Sequence, residues 1–332
     1  MQALVLAVAV YVLLPRVAGL RETTDTLVRL RWWLPGVAIA LEAGSLACYA
    51  ELIRTVLATE GASPPRRVVQ QAVLAGRALG KVLPGGTLAA LPGQVRVLRR
   101  GAVDPAVAAA AGLASGVLSS LLLVALLPLA AAVGLLSRQS GAVALGVAGI
   151  AIGTAVLVVL AWIGVRDPDL GRRLGTLVRR LGRGHWLRAR LHTDEMATGV
   201  ERAAAALRVA AQDRRGMARA AGFAAGSWLL DFTVIAVIAL AATRGSPLAG
   251  LPLAYVVGQL AATVPITPGG VGVVETTMTA ALVAQGSPAG QAAAVVLTWR
   301  LVSHWLPIVT GLVAYLANAV AGPGRHPRRR AD

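Results

Sequence analysis

The chain has 332 residues, of which 56% are hydrophobic and only 14% are charged, and its mean hydropathy is +0.69. This composition excludes a soluble domain of ordinary type and predicts an all-α, polytopic membrane protein. The net charge of +17 does not indicate nucleic-acid binding, because the arginines lie between apolar segments, where the positive-inside rule accounts for them. The amino-acid usage favours a bacterial source, and therefore the cytoplasmic (inner) membrane.

The first part of the chain predicts two membrane spans followed by a shorter apolar pair. Residues 3–14 read as a membrane helix and not as a signal peptide, because no basic start and no Ala-x-Ala exit accompany them. Residues 32–57 form the second predicted span. Residues 68–83 and 87–97 are each too short to cross roughly 30 Å of hydrocarbon comfortably, so we expect a re-entrant helical hairpin over about residues 68–99, turning at Pro84-Gly85-Gly86.

Two further apolar spans, residues 105–136 and 142–165, complete a predicted N-terminal membrane half comprising residues 1–165. Residues 166–216 then carry many arginines and an amphipathic stretch at 198–211. A basic segment of this type is expected to lie on the cytoplasmic surface of the membrane as a linker.

The predicted C-terminal membrane half comprises residues 217–322. It contains a span at 217–242, a second re-entrant hairpin over about 249–285 and a last span at 288–320, with a kink expected at Pro307. The hairpin turns at Pro268-Gly269-Gly270. The basic tail, residues 323–332, is expected to be cytoplasmic, and the whole chain then has about six full spans plus two re-entrant hairpins.

Helix-breaking landmarks recur in the two halves at nearly one spacing of 182 to 184 residues. The matching pairs are Gly44-Ser45 with Gly226-Ser227, residues 61–64 with residues 245–247, Pro84-Gly85-Gly86 with Pro268-Gly269-Gly270, and Pro105-Ala106 with Pro288-Ala289. The loops of the first copy are rich in arginine and those of the second copy are not, which predicts opposite orientations in the membrane. Inverted halves with interrupted short helices are typical of secondary transporters. Arginines between the first two predicted helices conflict with this topology.

Each Pro-Gly-Gly is expected to start a short helix within the membrane. The first N–H groups of such a helix have no intrahelical partner, and its positive dipole end suits a phosphate group. Residues Pro84, Gly85, Gly86, Pro268, Gly269 and Gly270 are therefore candidate substrate-binding residues. The alternative is that these prolines and glycines only turn the two hairpins.

Charged residues inside the predicted spans supply the other candidate binding residues, because such groups usually face a bundle interior or a water-filled cavity. Glu275, Arg300 and Asp231 bracket the second hairpin. Arg77 and Lys81 lie four residues apart on one helical face and would form a cationic lining. Their alternative role is to extend to the cytoplasmic interface.

Other polar residues carry weaker predictions. Glu51 and Arg54 are expected to form an interfacial ion pair, His304 to be structural, and the role of Glu42 stays open. Cys48 is the single cysteine, and the four histidines form no ligand pattern. We predict no catalytic residue, no metal site and no cofactor, since no catalytic motif occurs in the sequence.

Several motifs resemble one known family. Residues 265–275, Pro-Ile-Thr-Pro-Gly-Gly-Val-Gly-Val-Val-Glu, resemble the signature of the lysylphosphatidylglycerol synthase transmembrane region, a family of flippase-like membrane proteins. The other matching motifs are Leu83-Pro84-Gly85-Gly86, Leu98-Arg99-Arg100-Gly101 and Thr298-Trp299-Arg300-Leu301. The resemblance therefore extends over nearly the whole chain.

The resemblance implies movement of a lipid with a modified or anionic headgroup between leaflets, with Glu275 and Arg300 as the polar residues carried over. The bifunctional members of the family carry a soluble aminoacyl-transferase domain after the membrane region, whereas this sequence ends at Asp332. Synthesis of an aminoacylated lipid is therefore not expected here, and the lipid that is moved does not follow from the fold.

The favoured hypothesis is thus a flippase-like transporter whose partners are membrane lipids, either anionic phospholipids or polyprenyl phosphates. A non-transporting membrane partner is the alternative: an anchor for an envelope glycosyltransferase or lipid-modifying enzyme that docks on residues 166–216. A third reading, an intramembrane enzyme using Glu275, lacks any base or metal that would assist the carboxylate.

Overall fold

The computed structural model describes residues 33–83, 87–136, 213–243, 250–262 and 267–320, with scattered positions between 167 and 208. No strand occurs in this described part, and the all-α prediction is confirmed. The predictions for residues 3–14, 84–86, 142–165 and 323–332 lie outside it, as does most of the linker predicted at 166–216.

The described helices match the predicted elements closely in position. They are, in chain order, α1 (Leu34–Thr59), α2 (Arg66–Val82), α3 (Thr87–Arg100), α4 (Pro105–Leu136), α5 (Arg214–Ala242), α6 (Leu251–Ala261), a 3₁₀ turn (Pro268–Gly270), α7 (Val273–Ala284), α8 (Ala289–Arg300), a π turn (Leu301–Trp305) and α9 (Leu306–Val320).

Four helical segments of the described part are long and apolar enough to cross a membrane: α1, α4, α5 and the continuous run through α8, the π turn and α9. Large apolar side chains point outward from them, for example Leu129 at 63% exposure and Val313 at 62%. Outward apolar side chains are expected where lipid and not water surrounds the helices. The chain is accordingly a multi-pass membrane protein.

Small residues let α1 and α5 approach closely. A Cβ atom built on Gly44 would lie 3.2 Å from Leu230 Cδ1, and one built on Gly226 would lie 3.2 Å from Cys48 Sγ. Between these contacts, Ser45 Oγ donates a hydrogen bond of 2.9 Å to the carbonyl oxygen of Ser227. Since later residues of α1 meet earlier residues of α5, the two helices run antiparallel. Small residues and cross-helix hydroxyl bonds are the usual means of helix association in membranes.

The two predicted hairpin regions each form a pair of short helices in contact. In the first pair, a Cβ atom on Gly93 of α3 would lie 2.9 Å from the carbonyl oxygen of Ala75 in α2. In the second pair, a Cβ atom on Gly258 of α6 would lie 2.1 Å from Met278 Cγ in α7. With 17, 14, 11 and 12 residues respectively, none of these helices reaches the roughly 30 Å of a hydrocarbon core at about 1.5 Å per residue.

The second Pro-Gly-Gly does not start the following helix, which corrects the expectation from the sequence. Pro268–Gly270 forms a separate 3₁₀ turn, and α7 begins only at Val273. The backbone φ angle is +58° at Gly269, +67° at Gly270 and +85° at Gly272. These left-handed conformations interrupt the right-handed helix and explain its later start.

The last span contains a π turn immediately before Pro307, close to the kink predicted there. Proline has no backbone N–H, so the carbonyl group of Ser303, four residues earlier, has no α-helical donor. Lys81 Nζ from α2 donates to this carbonyl oxygen. The proline thus creates an acceptor that joins α2 to the last span.

Candidate functional site

A polar cavity of about 410 Å³ lies inside the helical bundle. Its lining comes from α1, α2, α3, α4, α5, α6, the 3₁₀ turn, α8 and the π turn. The lining contains the charged residues Glu42, Arg77, Lys81, Asp231 and Arg300, together with His304 and Tyr49. Charges placed within membrane-spanning helices are costly, at least about 2.5–3.5 kcal/mol at the bilayer centre, and are retained where they line such cavities.

Arg300 is held at the cavity by two acceptors. Its Nε donates to Glu275 Oε1 at 2.6 Å, and its Nη2 donates to the carbonyl oxygen of Gly269 at 3.1 Å. Both side chains of the ion pair are only 8% exposed. Arg300 and Glu275 are the two polar residues that the family resemblance indicates. The structure brings them into contact.

Glu275 stands behind Arg300 and is not among the residues that line the cavity. Its second oxygen, Oε2, accepts the backbone N–H of Gly272 at 2.7 Å, at the start of α7. The carboxylate of Glu275 therefore occupies the N-terminus of α7, where a phosphate was expected. At Gly269 the group that contacts Arg300 is a carbonyl oxygen and not an N–H group. Pro268 and Gly270 do not line the cavity, whereas Gly269 does. Glu275 is connected to the cavity through its bond to Arg300.

Arg77 and Lys81 both line the cavity from α2. The guanidinium carbon of Arg77 lies 4.7 Å from the ring centroid of Tyr49, a cation–π geometry. Lys81 contacts the Ser303 carbonyl group. The predicted spacing of one helical turn thus places both cations on the cavity side of α2.

Asp231 is surrounded by hydrogen-bond donors. Tyr255 Oη donates to Asp231 Oδ2 at 2.6 Å, and Gln259 Nε2 donates to the same oxygen at 2.9 Å. Trp299 Nε1 donates to Oδ1 at 3.2 Å. Asp231 therefore accepts bonds from α6 and α8 on both carboxyl oxygens, and it lines the cavity.

Glu42, whose role the sequence leaves open, also lines the cavity. It is 4% exposed, and it shares the cavity lining with Asp231 of α5. Its Oε2 atom has no hydrogen-bond partner among the described residues. Glu42, Ser45 and Tyr49 are three and four residues apart, so they lie on one face of α1. This spacing in the sequence indicates which face of α1 lines the cavity.

The turn at Gly269 touches the end of α2. A Cβ atom built on Gly269 would lie 2.5 Å from the carbonyl oxygen of Lys81 and 2.4 Å from His304 Cε1. Lys81 is followed closely by Pro84-Gly85-Gly86, which lies outside the described residues. The end of α2 and the turn at Pro268–Gly270 thus meet beside the cavity.

Two further sequence predictions concern the pair Glu51 and Arg54, which does not line the cavity, and His304, which does. Glu51 pairs with Arg54 at 2.8 Å and with Arg66 at 3.0 Å, which confirms an ion pair there. His304, interpreted as structural, is 2% exposed and also lines the cavity. Within the described ranges, no group of three or more His, Cys, Asp or Glu residues is arranged to hold a metal ion.

These features define a multi-pass helical membrane protein with a cavity between its helices that is lined by charged side chains. The family model for the lysylphosphatidylglycerol synthase TM region matches residues 2–311. The chain therefore belongs to this family, as its motifs indicate. None of the curated proteins matches the chain.

Proposed function

We propose that the protein is a flippase-like transporter that moves a lipid with an anionic or modified headgroup between the two leaflets. The observation that carries this proposal is the 410 Å³ cavity inside apolar helices, with Arg77, Lys81 and Arg300 in its lining. A cavity of this size holds a small polar headgroup, while the acyl chains remain in the surrounding lipid. Transport and not catalysis is proposed, since Glu275 is engaged by Arg300 and Gly272.

Arginine chemistry suits the phosphate of such a headgroup. A guanidinium group binds phosphate oxygens through parallel N–H bonds, and it keeps its charge when buried. Glu275 fixes the orientation of the Arg300 guanidinium and Tyr49 that of Arg77. We infer that the phosphate binds between these two arginines and not at the N-terminus of α7.

An inverted repeat is part of this proposal, and contacts between α1 and α5 support it. Ser45 and Ser227, which are 182 residues apart, contact each other. The contacts of Gly44 with Leu230 and of Gly226 with Cys48 are reciprocal at the same spacing, because Gly226 lies 182 residues after Gly44 and Leu230 lies 182 residues after Cys48. Reciprocal contacts of this kind are expected at a two-fold axis between equivalent elements. Antiparallel equivalent helices place that axis in the membrane plane, as in inverted-repeat transporters.

We further propose that the chain has about six full spans and two re-entrant hairpins. The hairpins are the α2–α3 and α6–α7 pairs. Their short helices and the contact between Gly269 and the end of α2 support this topology. Residues 166–216 and the tail at 323–332 then lie on the cytoplasmic side of a bacterial inner membrane, where their arginines contact anionic lipids.

The test is lipid movement in reconstituted liposomes. Fluorescently labelled anionic phospholipids, a labelled zwitterionic phospholipid and a labelled polyprenyl phosphate are placed in separate vesicle preparations, and transbilayer rates are compared with those of protein-free vesicles. We expect acceleration for an anionic or modified lipid by the unmodified protein, and its loss in Arg300→Ala and Arg77→Ala.

Arg54→Ala is the matched control, because Arg54 pairs with Glu51 away from the cavity and should keep the accelerated rate. Rates equal to those of empty vesicles for every lipid, in a folded protein, would contradict transport. The chain would then act as a membrane partner, and deletion of residues 166–216 should release a bound envelope enzyme.

A further inference from the structure

Two buried carboxyl groups face each other across the α1–α5 contact. Glu42 of α1 is 4% exposed and Asp231 of α5 is 8% exposed. Both line the same cavity, and their neighbours Gly44 and Leu230 are in contact. They lie close to the Ser45–Ser227 contact, since Glu42 is one turn from Ser45 and Asp231 is one turn from Ser227.

The two carboxyl groups differ in their donors. Tyr255 and Gln259 donate to one oxygen of Asp231, and Trp299 donates to the other. Glu42 Oε2 is buried and has no hydrogen-bond partner in the part of the chain that the structure describes. Both oxygens of Asp231 therefore have donors, whereas a buried oxygen of Glu42 has none within the described ranges, and a buried polar atom without a partner is a site that an added donor or proton would satisfy.

The cations that face Glu42 are engaged with other groups. From α2, Arg77 lies over the Tyr49 ring and Lys81 donates to the Ser303 carbonyl oxygen. From α8, Arg300 is paired with Glu275. His304 of the π turn borders the same cavity. Among the described residues, no ion pair joins Glu42 to a cation.

We propose that Glu42 binds an exchangeable proton that it shares with Asp231, and that lipid movement is coupled to this proton. A proton from the aqueous phase bonds to a carboxylate oxygen of Glu42, and the resulting O–H group donates to the Asp231 carboxylate. One of two adjacent like charges is thereby removed and the unpartnered oxygen is satisfied. Release of the same proton to the other aqueous phase restores the carboxylate.

The position of the pair supplies a physical coupling. With the proton bound, a hydrogen bond joins α1 to α5; without it, two carboxylates repel each other across the same contact. Proton binding therefore favours one arrangement of the two helices over the other, and differential affinity of this kind is what shifts a conformational equilibrium. The coupling step rests on the proposed function, whereas the proton site itself does not.

Infrared difference spectroscopy on the purified full-length protein tests the proton site directly. We expect a carboxylic-acid C=O band that is present at acid pH, disappears at alkaline pH and shifts in deuterated buffer. The band should be lost in Glu42→Gln, displaced in Glu42→Asp and kept in Glu51→Gln, the matched control on the same helix. A wild-type protein without a titrating band, or a Glu42→Gln protein that keeps it, would overturn the proposal.

A comparison of sodium and choline salts distinguishes proton binding from metal-cation binding at the two carboxyl groups. At constant pH, replacing choline chloride by sodium chloride should leave the wild-type band unchanged. A band that responds to sodium instead would assign the site to that cation and overturn proton binding. This measurement uses the unmodified protein and so does not depend on the folding of any variant.

Liposomes containing an internal pH indicator test the coupling. Lipid movement should depend on pH and be accompanied by proton flux in the unmodified and Glu51→Gln proteins, and Glu42→Gln should lose the pH dependence. A titrating Glu42 band without lipid movement would contradict the proposed transport but leave the proton site. Lipid movement with the same pH profile in Glu42→Gln would contradict the coupling but leave the transport.

Discussion

Arg300 and Glu275 form a buried ion pair in which Nε donates to Oε1 at 2.6 Å, although the residues are 25 positions apart in the chain. The other carboxylate oxygen accepts the N–H of Gly272 at the start of α7. The pair thus ties the end of α8 to the start of α7. Because Nη2 also contacts the Gly269 carbonyl oxygen, the arginine cannot turn freely in the cavity.

Breaking this pair from one side should destabilise the protein. Glu275→Leu leaves a buried cation without its carboxylate, and Arg300→Met leaves a buried carboxylate without its cation. Loss of one partner of a buried pair costs about 3–5 kcal/mol. We expect a lower melting temperature for each single variant in detergent, measured by circular dichroism.

The double variant Glu275→Leu, Arg300→Met should recover much of this stability, since apolar side chains of similar volume often replace a buried pair at little cost. It should nevertheless fail to accelerate lipid movement, because the arginine is absent. A double variant that melts as low as the less stable single variant would contradict the view that the pair serves mainly to position Arg300.

Gly269→Ala should destabilise the protein more than an alanine at another left-handed glycine. At Gly269, φ is +58°, and the new Cβ would clash with the Lys81 carbonyl oxygen and His304. At Gly61, φ is +74° but no atom lies within 4 Å of the new Cβ. Gly61→Ala should therefore cost only the backbone strain, about 1–2 kcal/mol, and Gly269→Ala distinctly more.

Thermal unfolding in detergent compares the two glycine variants, and proteolysis rates give a second measure. Equal stability of Gly269→Ala and Gly61→Ala would show that the turn at Pro268–Gly270 separates readily from α2. The tight contact beside the cavity would then not contribute to the stability of the folded protein.

The sequence is sufficient to predict the family, the all-α class and the positions of the apolar helices, because these follow from motif, hydropathy and helix-breaking residues. It also indicates Glu275 and Arg300 as candidate residues, since charges within apolar spans are few, and the structure pairs them. It does not predict where α7 begins. That boundary depends on the positive φ angles at Gly269, Gly270 and Gly272, which a Pro-Gly-Gly motif permits but does not require.

Glu42 illustrates why the cavity could not be derived completely. Its position on α1 is visible in the sequence, but its proximity to Asp231 depends on how α1 packs against α5. That packing comes from contacts 182 residues apart, such as Ser45 with Ser227. Similarly, the acceptor for Lys81 arises only because Pro307 leaves the Ser303 carbonyl free and α2 lies beside it.

Tyr255→Phe should loosen the Asp231 network without creating a large cavity. The substitution removes the 2.6 Å bond to Asp231 but keeps the aromatic ring, which packs edge-on against Trp228, Phe232 and Trp299. A hydrogen bond to a charged group contributes about 1.5–3 kcal/mol. We expect a loss of stability in this range, measured by thermal unfolding in detergent.

Tryptophan fluorescence of the same variant gives a local measurement, because Trp299 donates to the other oxygen of Asp231. Phe232→Leu is the control for altered packing at this aromatic cluster, since Phe232 contacts Tyr255 by its ring. Unchanged stability in Tyr255→Phe would mean that Gln259 and Trp299 alone hold Asp231.

Gly226→Cys should form a disulfide with the native Cys48 and so test the packing of α1 against α5. A Cβ atom built on Gly226 lies 3.8 Å from Cys48 Cβ and 3.2 Å from its Sγ. Disulfides have Cβ–Cβ distances of about 3.5–4.5 Å. Gly222→Cys, one turn earlier on α5, is the matched control, because no atom lies within 4 Å of its Cβ position.

The measurement uses a protease site inserted within residues 166–216, between the two halves. After mild oxidation and cleavage, the Gly226→Cys protein should migrate as one species without reductant and as two fragments with it. Gly222→Cys and the unmodified protein should give two fragments in both conditions, because each lacks a cysteine opposite Cys48. Equal cross-linking at both positions, or none at Gly226, would contradict the antiparallel contact of α1 with α5 and, with it, the reciprocal contacts that support an inverted repeat.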